Sequence, residues 1–219
     1  MSAVAVGDYD PPDVPLDILH HDHEILVAAK PAGLLSVPGR GEHLSDCLIA
    51  RVQRAFPEAL LVHRLDRDTS GVMVFALTRN AQRNLGLQFE RRHVHKTYVA
   101  RVWGSPVADE GEVDLPLIVD WPNRPKQHVN FETGKPAQTD WRVVRREGDT
   151  TRMRLTPRTG RSHQLRVHMA EIGHPILGDP FYADGPAQDF PRLMLHSETL
   201  RLRHPDGGET RSFTAPAPF

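Results

Sequence analysis

The sequence predicts an α+β fold, built on a mixed, mostly antiparallel sheet with flanking helices. Three observations indicate this class. Strand-like segments recur along the chain, helical spacing of apolar residues is confined to a few places, and glycine and proline separate most segments. The 219 residues, of which 39% are hydrophobic and 25% charged, suffice for one domain with a sizeable core. We therefore expect an extended arm over residues 1–16 and a single domain over residues 17–219.

The first quarter of the chain is predicted to form two strands and a helix after the arm. Prolines keep the arm extended, and strands are expected over residues 17–21 and 24–30. A helix capped by Ser45 follows and ends before Pro57. Its apolar residues at helical spacing are Leu48, Ile49, Val52 and Phe56.

A buried strand and a second helix come next. Residues 72–78 are almost all apolar or β-branched and follow Gly71, which predicts a buried strand. Residues 79–92 place Leu85 and Phe89 four positions apart, as on one face of a helix. Helix therefore follows strand in this region.

The rest of the chain is predicted to be mostly strands joined by long connections. The expected strands cover residues 96–103, 129–133, 138–144, 152–156 and 193–203, with a further segment near Phe213. One more helix is expected to open at Ser162 and to end near Gly173. No repeat or low-complexity linker divides the chain.

Composition excludes several functional classes. No segment has the roughly 20 apolar residues of a membrane span, and the N-terminus lacks a signal-peptide pattern, so we expect a cytoplasmic protein. The single Cys47 excludes an internal disulfide and a multi-cysteine zinc site. The histidines lack the helical spacing of a hydrolytic zinc site, and no phosphate-loop motif is present. We expect neither a metal nor a cofactor.

The charge distribution leaves a nucleic-acid surface open. The formal net charge of −1 does not favour an RNA-binding protein by itself. Residues 79–101 nevertheless contain six arginines and lysines against Glu90 alone, and residues 142–166 show a similar excess of arginine. These segments are either a basic surface or ordinary solvated faces of helices and strands.

Two polar clusters are candidates for a functional site. Residues 63–71 crowd polar side chains just before the predicted buried strand, where a scaffold can hold and expose them. A solvated turn is the alternative for this cluster. Residues 158–168 place a turn and a helix start beside several arginines, a combination suited to anions. A capped helix with exposed arginines is the alternative for the second cluster.

Five blocks of this sequence resemble, in order, the motifs of the RluA-type pseudouridine synthases. The blocks begin with Lys30-Pro31-Ala32-Gly33, His63-Arg64-Leu65-Asp66, Arg158-Thr159-Gly160-Arg161, Gly178-Asp179-Pro180-Phe181-Tyr182 and Leu195-His196-Ser197. The resemblance runs from about residue 17 to the end. It implies a pseudouridine synthase catalytic fold with a central cleft, which isomerises uridine to pseudouridine in folded RNA without metal or cofactor.

The resemblance also implies roles for individual residues. Asp66 matches the essential aspartate, Arg166 the arginine that pairs with it, and Tyr98 a tyrosine that stacks on the target base. Arg64 matches an arginine that fills the space left by the flipped base, and Leu195 is a candidate for the apolar wall under the base. The other expected RNA or substrate contacts are His63, Thr69, Arg124, Lys126 and Arg161.

The segment 120–127 and the lack of room for an S4-like RNA-binding domain resemble dual-specificity members of the family. The expected partners are therefore a tRNA anticodon stem-loop and a large-subunit rRNA stem-loop, bound by a monomer. Two alternatives stay open: a non-catalytic RNA-binding or RNA-folding protein, and a glycosidase that uses Asp66 and Asp68 as a carboxylate pair.

Overall fold

A computed structural model describes residues 9–219, which divide into two compact units. The terminal unit comprises residues 9–96 and 196–219, and the central unit comprises residues 97–195. The first half of the predicted arm, residues 1–8, lies outside the described residues. The division into an arm and one domain over residues 17–219 stays a prediction.

The terminal unit contains a mixed sheet and two helices. Its strands are β1 (Asp17–His21), β2 (Ile25–Lys30), β3 (Leu60–Leu61), β4 (Ser70–Ala76), β11 (Leu195–Arg203) and β12 (Thr210–Thr214). Its helices are α1 (Leu48–Ala55) and α2 (Arg79–Glu90). β11 enters this unit after its first residue. Neighbouring strands run antiparallel, except that β4 and β11 are parallel.

Strand β4 is the centre of the terminal unit. All seven of its residues are buried, as the apolar run predicts. Val72 and Val74 join a core that α2 completes through Ala81 and Leu85. Gly71 has a φ of +116°, and a Cβ there would collide with the backbone carbonyl of Ser197. Only glycine therefore allows β4 and β11 to approach this closely.

The prediction that Ser45 caps the first helix is wrong. Helix α1 begins at Leu48 with Cys47 as its N-cap, and no side chain caps it. The backbone N–H of Leu48 donates instead to the carbonyl of Leu35 (2.8 Å). A backbone carbonyl of a neighbouring loop thus accepts from the N–H group for which the sequence predicted a side-chain cap.

The described part of the arm, residues 9–16, contains no helix or strand and contacts the start of α1. The Tyr9 hydroxyl donates to the carbonyl of Asp46 (2.8 Å) and accepts from the N–H of Leu35 (3.0 Å). Arg51 donates to the carbonyl of Pro12 (2.9 Å). These contacts fix the end of the arm against the terminal unit.

The central unit contains antiparallel strands and one helix. The strands are β5 (His95–Trp103), β6 (Glu110–Asp114), β7 (Leu117–Val119), β8 (Gln127–Val129), β9 (Gln138–Glu147) and β10 (Thr150–Pro157), and the helix is α3 (Gln164–Glu171). β5 enters this unit at Thr97. Its strands pair in the order β5-β10-β9-β6, and β7 pairs with β8 as a separate hairpin.

Two predictions for the central unit are wrong. The strand expected over residues 129–133 ends at Val129, because the Asn130 side chain accepts from the N–H groups of Glu132 and Thr133 and forms a turn. Ser162 does not open the last helix. The N-cap of α3 is His163, in the left-handed region at a φ of +52°.

The α+β class and the mixed, mostly antiparallel strand arrangement are confirmed. Within residues 9–219, every helix is too short or too polar to cross a lipid bilayer. The remaining predicted helices and strands lie within a few residues of their expected bounds.

We predict that Gly86→Ala stabilises the protein. Gly86 lies inside α2, and a Cβ there meets no atom within 4 Å, so alanine gains helix propensity without a clash. We expect the free energy of unfolding to rise by about 0.5–1 kcal/mol, measured by denaturant titration. Gly71→Ala is the matched control and should destabilise strongly. A loss of stability in Gly86→Ala would contradict the open environment described for α2.

Candidate functional site

The first predicted cluster forms a loop between β3 and β4 in the terminal unit. Along this loop Arg64 is exposed, Leu65 is buried and Asp66 is half-buried. The carbonyl of Asp66 accepts from the N–H of Thr69 (3.2 Å), which closes a turn directly before β4. Thr69 itself is buried. The buried strand thus fixes one end of the loop while Arg64 and Asp66 remain accessible.

Lys30 ties this loop to the end of β2. Its side chain is only 1% exposed, and its ammonium donates to the carbonyls of Pro31 (2.8 Å), Leu34 (2.6 Å) and Arg67 (2.7 Å). Three acceptors match the three N–H donors of an ammonium group, so its burial is compensated. The carbonyl that follows Asp66 is therefore held by a buried cation.

Ser36 holds the residue on the other side of Asp66. Its hydroxyl donates to the carbonyl of Leu65 (2.7 Å) and accepts from the N–H of Leu65 (3.1 Å). Ser36 is buried, so these hydrogen bonds are shielded from competing water. Lys30 and Ser36 together fix the backbone on both sides of Asp66.

Asp68 has a local partner. Both of its carboxylate oxygens accept from the guanidinium of Arg67, at 2.8 and 3.0 Å. This two-pronged contact compensates the charge of Asp68 and fixes its orientation. A glycosidase mechanism that needs Asp68 as a catalytic carboxylate is therefore disfavoured.

His63 anchors the loop between β3 and β4 to the rest of the terminal unit. Its Nε2 accepts from the N–H of Val74 in β4 (3.1 Å), and its ring stacks on Phe89 of α2 at 4.6 Å between centroids. Burial of the ring and, to a smaller extent, the charge of Lys96 together lower its pKa to about 3. His63 is therefore neutral at physiological pH and positions the loop; its expected substrate contact stays a prediction.

The central unit contains a buried ion pair between Arg166 of α3 and Asp179. The Arg166 Nε and Nη2 donate to the two Asp179 oxygens, each at 2.7 Å, and the two side chains are 2% and 0% exposed. Asp179 Oδ1 also accepts from the N–H of Phe181 (2.9 Å). The expected pairing of Arg166 with Asp66 stays a prediction.

Tyr182 connects the start of α3 to the β7–β8 hairpin. Its hydroxyl accepts from the N–H of Gln127 (2.8 Å) and pairs with Nδ1 of His163 (2.7 Å). Its ring also lies 5.3 Å from the Arg166 guanidinium carbon. The Tyr182 side chain thus contacts the β7–β8 hairpin, the start of α3 and the buried Arg166.

The hairpin loop presents an aromatic and cationic surface. Trp121 is 63% exposed, and the Arg124 guanidinium lies 4.4 Å from the centre of its ring. Arg124 is exposed and Lys126 is half-buried. An exposed indole covered by a guanidinium is typical of surfaces that stack nucleobases and attract phosphates.

The other predicted residues also lie in the central unit. Tyr98 on β5 and Leu195 at the start of β11 are both buried. Arg161 donates through Nε to the carbonyl of Pro136 (3.1 Å). The Gln164 side chain accepts from the N–H of Arg161 (3.0 Å), so a protein group already occupies this part of the α3 start. The loop before α3 is accordingly built by side-chain hydrogen bonds.

Several supporting residues were not recognised from the sequence. Lys30, Asp179 and Tyr182 lie within the quoted blocks, but nothing in their local pattern indicates which atoms they hold. The same holds for Ser36, six residues after Lys30. Their roles depend on contacts between segments that are distant in the chain. Among residues 9–219, no three His, Cys, Asp or Glu side chains form a group able to hold a metal ion.

Comparisons with known proteins all indicate the same family. The RNA pseudouridylate synthase family matches residues 24–171. The dual-specificity RNA pseudouridine synthase RluA of Escherichia coli K12 is 58% identical over 219 residues, covering 99% of this chain and 100% of the relative. The Yersinia pestis protein of that name is 55% identical over 204 residues, covering 92% of this chain and 99% of the relative.

Solved structures show the same likeness. The human RNA pseudouridylate synthase domain containing 1 aligns with a TM-score of 0.80 at 29% identity, covering 96% of this chain and 87% of that one. The human RNA pseudouridylate synthase domain containing 4 aligns with a TM-score of 0.75 at 26% identity, covering 92% and 88%.

We predict that the His63 ring makes the fold sensitive to mild acid. The unfolded ring has a pKa near 6.5, whereas the folded ring resists protonation down to about pH 3, so the unfolded chain binds the extra proton. Stability therefore falls as the pH drops below 6.5, by about 2 kcal/mol at pH 5 from this group. His63→Gln keeps an acceptor for Val74 and removes the titration.

The measurement is the free energy of unfolding of both proteins at pH 7 and pH 5. The decrease should be smaller in His63→Gln than in the unaltered protein. Equal decreases would show that His63 is protonated in the folded state and that its contact with Val74 is misassigned.

Proposed function

Because the chain belongs to the RNA pseudouridylate synthase family, we propose that it modifies uridines in both a tRNA anticodon stem-loop and a large-subunit rRNA stem-loop. It is an isomerase, an RNA pseudouridine synthase. The observation that carries the proposed mechanism is the accessible Asp66, whose flanking backbone Lys30 and Ser36 hold. The dual specificity is supported by the names of relatives that match 99% and 92% of this chain.

The reaction moves the uracil ring on the ribose. The bond between N1 and C1′ breaks, the ring turns, and a bond forms between C5 and C1′. The proton on C5 is lost and N1 carries a proton in the product, so atoms and electrons balance without an oxidant or a reductant. An acidic or nucleophilic side chain beside the ribose is sufficient for such chemistry.

Asp66 is the proposed catalytic carboxylate. A carboxylate can trap or stabilise the electron-poor sugar, or take up the proton beside it. Its position in a fixed loop, two residues from the exposed Arg64, supports this role, because a flipped nucleotide needs a carboxylate that it can reach. We propose that Arg166 orients this carboxylate and that Tyr98 and Leu195 line the base, as the resemblance implies.

We predict that Asp66→Asn abolishes pseudouridine formation but preserves the fold and RNA binding. The amide has nearly the same size and lacks the charge that the glycosyl step needs. The measurement is pseudouridine in tRNA and rRNA stem-loops under single-turnover conditions, alongside the dissociation constant.

Asp68→Asn is the matched control for this experiment. Its carboxylate already pairs with Arg67, so we expect near-normal product formation. Near-normal turnover in Asp66→Asn would refute the mechanism. A comparable loss of activity in both Asp66→Asn and Asp68→Asn would instead support the carboxylate-pair alternative.

Arg166 is unsuitable as a single test residue. Replacing it leaves Asp179 buried without its cation, which typically costs about 3–5 kcal/mol of stability. Lost activity in Arg166→Met would therefore not separate catalysis from folding.

Recognition is proposed to combine base flipping with contacts to the RNA backbone. A base leaves a loop more cheaply than a duplex, so short stem-loops should be better substrates than uninterrupted duplexes. Arg64 is exposed and makes no ion pair within the described residues, and it is the proposed filler of the vacated stack. Arg124 and Lys126 are proposed to approach phosphates, beside the exposed Trp121.

We predict that replacing Arg64 and replacing Arg124 together with Lys126 change the salt dependence of RNA binding differently. Arg64→Ala should lower single-turnover rates on stem-loops and leave the salt dependence of binding nearly unchanged. Replacing Arg124 and Lys126 together by glutamine should reduce the salt slope by about 0.9 for each lost phosphate contact. A salt series with both variants measures this. An equal effect of both changes on the slope would assign Arg64 to the backbone instead.

The last part of the proposal concerns where the enzyme acts in the cell. We infer a cytoplasmic enzyme, because its proposed substrates are there and its single cysteine, Cys47, is buried and free. The expectation of a monomer stays a prediction.

A further inference from the structure

A cationic segment follows α2 in the terminal unit and is not part of the loop that contains Asp66. Arg91 and Arg92 are exposed, whereas Val94 is buried in the core between α2 and β4. The N–H of Arg91 donates to the carbonyl of Leu87 (2.9 Å), and that of His93 donates to the carbonyl of Gln88 (2.8 Å). The cations therefore project from a backbone that is held in place.

These cations lack acidic partners. Within residues 9–219, Arg91, Arg92 and Lys96 make no ion pair. The second basic segment differs, because four of its exposed arginines pair with acids. The pairs are Arg142–Glu110, Arg145–Glu147, Arg146–Asp109 and Arg158–Asp140. Arg91, Arg92 and Lys96 of the first basic segment thus keep charge available for an anionic partner.

Lys96 brings this charge close to the Asp66 loop. Its side chain is half-buried, and burial lowers its pKa. Its charge acts on His63, the neighbour of Arg64, and the His63 ring stacks on Phe89 near the end of α2. A half-buried ammonium without a carboxylate carries an unfavourable desolvation cost. A phosphate bound from outside offsets that cost.

We propose that Arg91, Arg92 and Lys96 form a phosphate-binding ridge that holds the RNA strand beside the target uridine. The inference rests on the proposed function, because the ridge adjoins the loop of Arg64 and Asp66. Phosphates are the expected ligands, since the ridge combines three cations that make no ion pair within residues 9–219. The ridge would hold the strand in register and contribute no base specificity.

The test measures RNA binding in a salt series. Arg91→Gln/Arg92→Gln should weaken binding of a tRNA anticodon stem-loop at low salt and reduce the slope of log Kd against log salt by about 1.8, at about 0.9 per contact. Arg91→Lys/Arg92→Lys keeps the charges and should keep the slope. Lys96→Gln should reduce the slope by about 0.9, and its thermal stability is measured in parallel.

The control for net charge is Arg142→Gln/Arg145→Gln, which removes two cations that already pair with acids. An unchanged slope in Arg91→Gln/Arg92→Gln would overturn the proposal and leave these arginines a role in stabilising the C-terminal end of α2. A slope lowered equally by the control would also overturn it. Failure of the proposed function has a different signature, since the unaltered protein would then form no pseudouridine in any stem-loop.

Discussion

The arrangement of the Asp66 loop depends on the buried ammonium of Lys30. A lysine inside a protein needs partners for its charge, and the ammonium of Lys30 donates to three backbone carbonyls. Two of these carbonyls belong to the turn after β2 and the third follows Asp66. One charged group therefore joins two segments that are separated by more than thirty residues, and neither segment can move without exposing an unsatisfied cation.

Acidic side chains neutralise the arginines unevenly along the chain. In the central unit, Arg166 is buried against Asp179 and most surface arginines pair with acids, so guanidinium groups serve mainly to fix geometry. In the terminal unit, Arg64, Arg91 and Arg92 are exposed and lack acidic partners among the described residues. A protein of near-neutral net charge can thus keep a local positive field, because neutralisation is unevenly distributed.

The fold and the site differ in how far the sequence predicts them. The buried strand β4 and helix α2 follow from local periodicity, because each has a single pattern over its whole length. Helix starts at Ser45 and Ser162 were misplaced. The first backbone N–H of α1 donates to the carbonyl of a distant residue, and His163 adopts a left-handed conformation directly before α3. Neither feature can be recognised from the neighbouring sequence. Motif resemblance located Asp66, whereas the contacts of Lys30 and Asp179 required the three-dimensional structure.

The parallel pairing of β4 with β11 links the beginning of the site to the end of the chain. Ser70 lies opposite His196, and the core around β4 includes Leu200 and Phe213. Synthesis proceeds from the N-terminus at about 5–20 residues per second, so the Asp66 loop emerges well before the strand that completes its support. A nascent chain therefore lacks a finished site until β11 and Phe213 have left the ribosome. The order of synthesis in this way sets a delay between the appearance of Asp66 and the completion of its support.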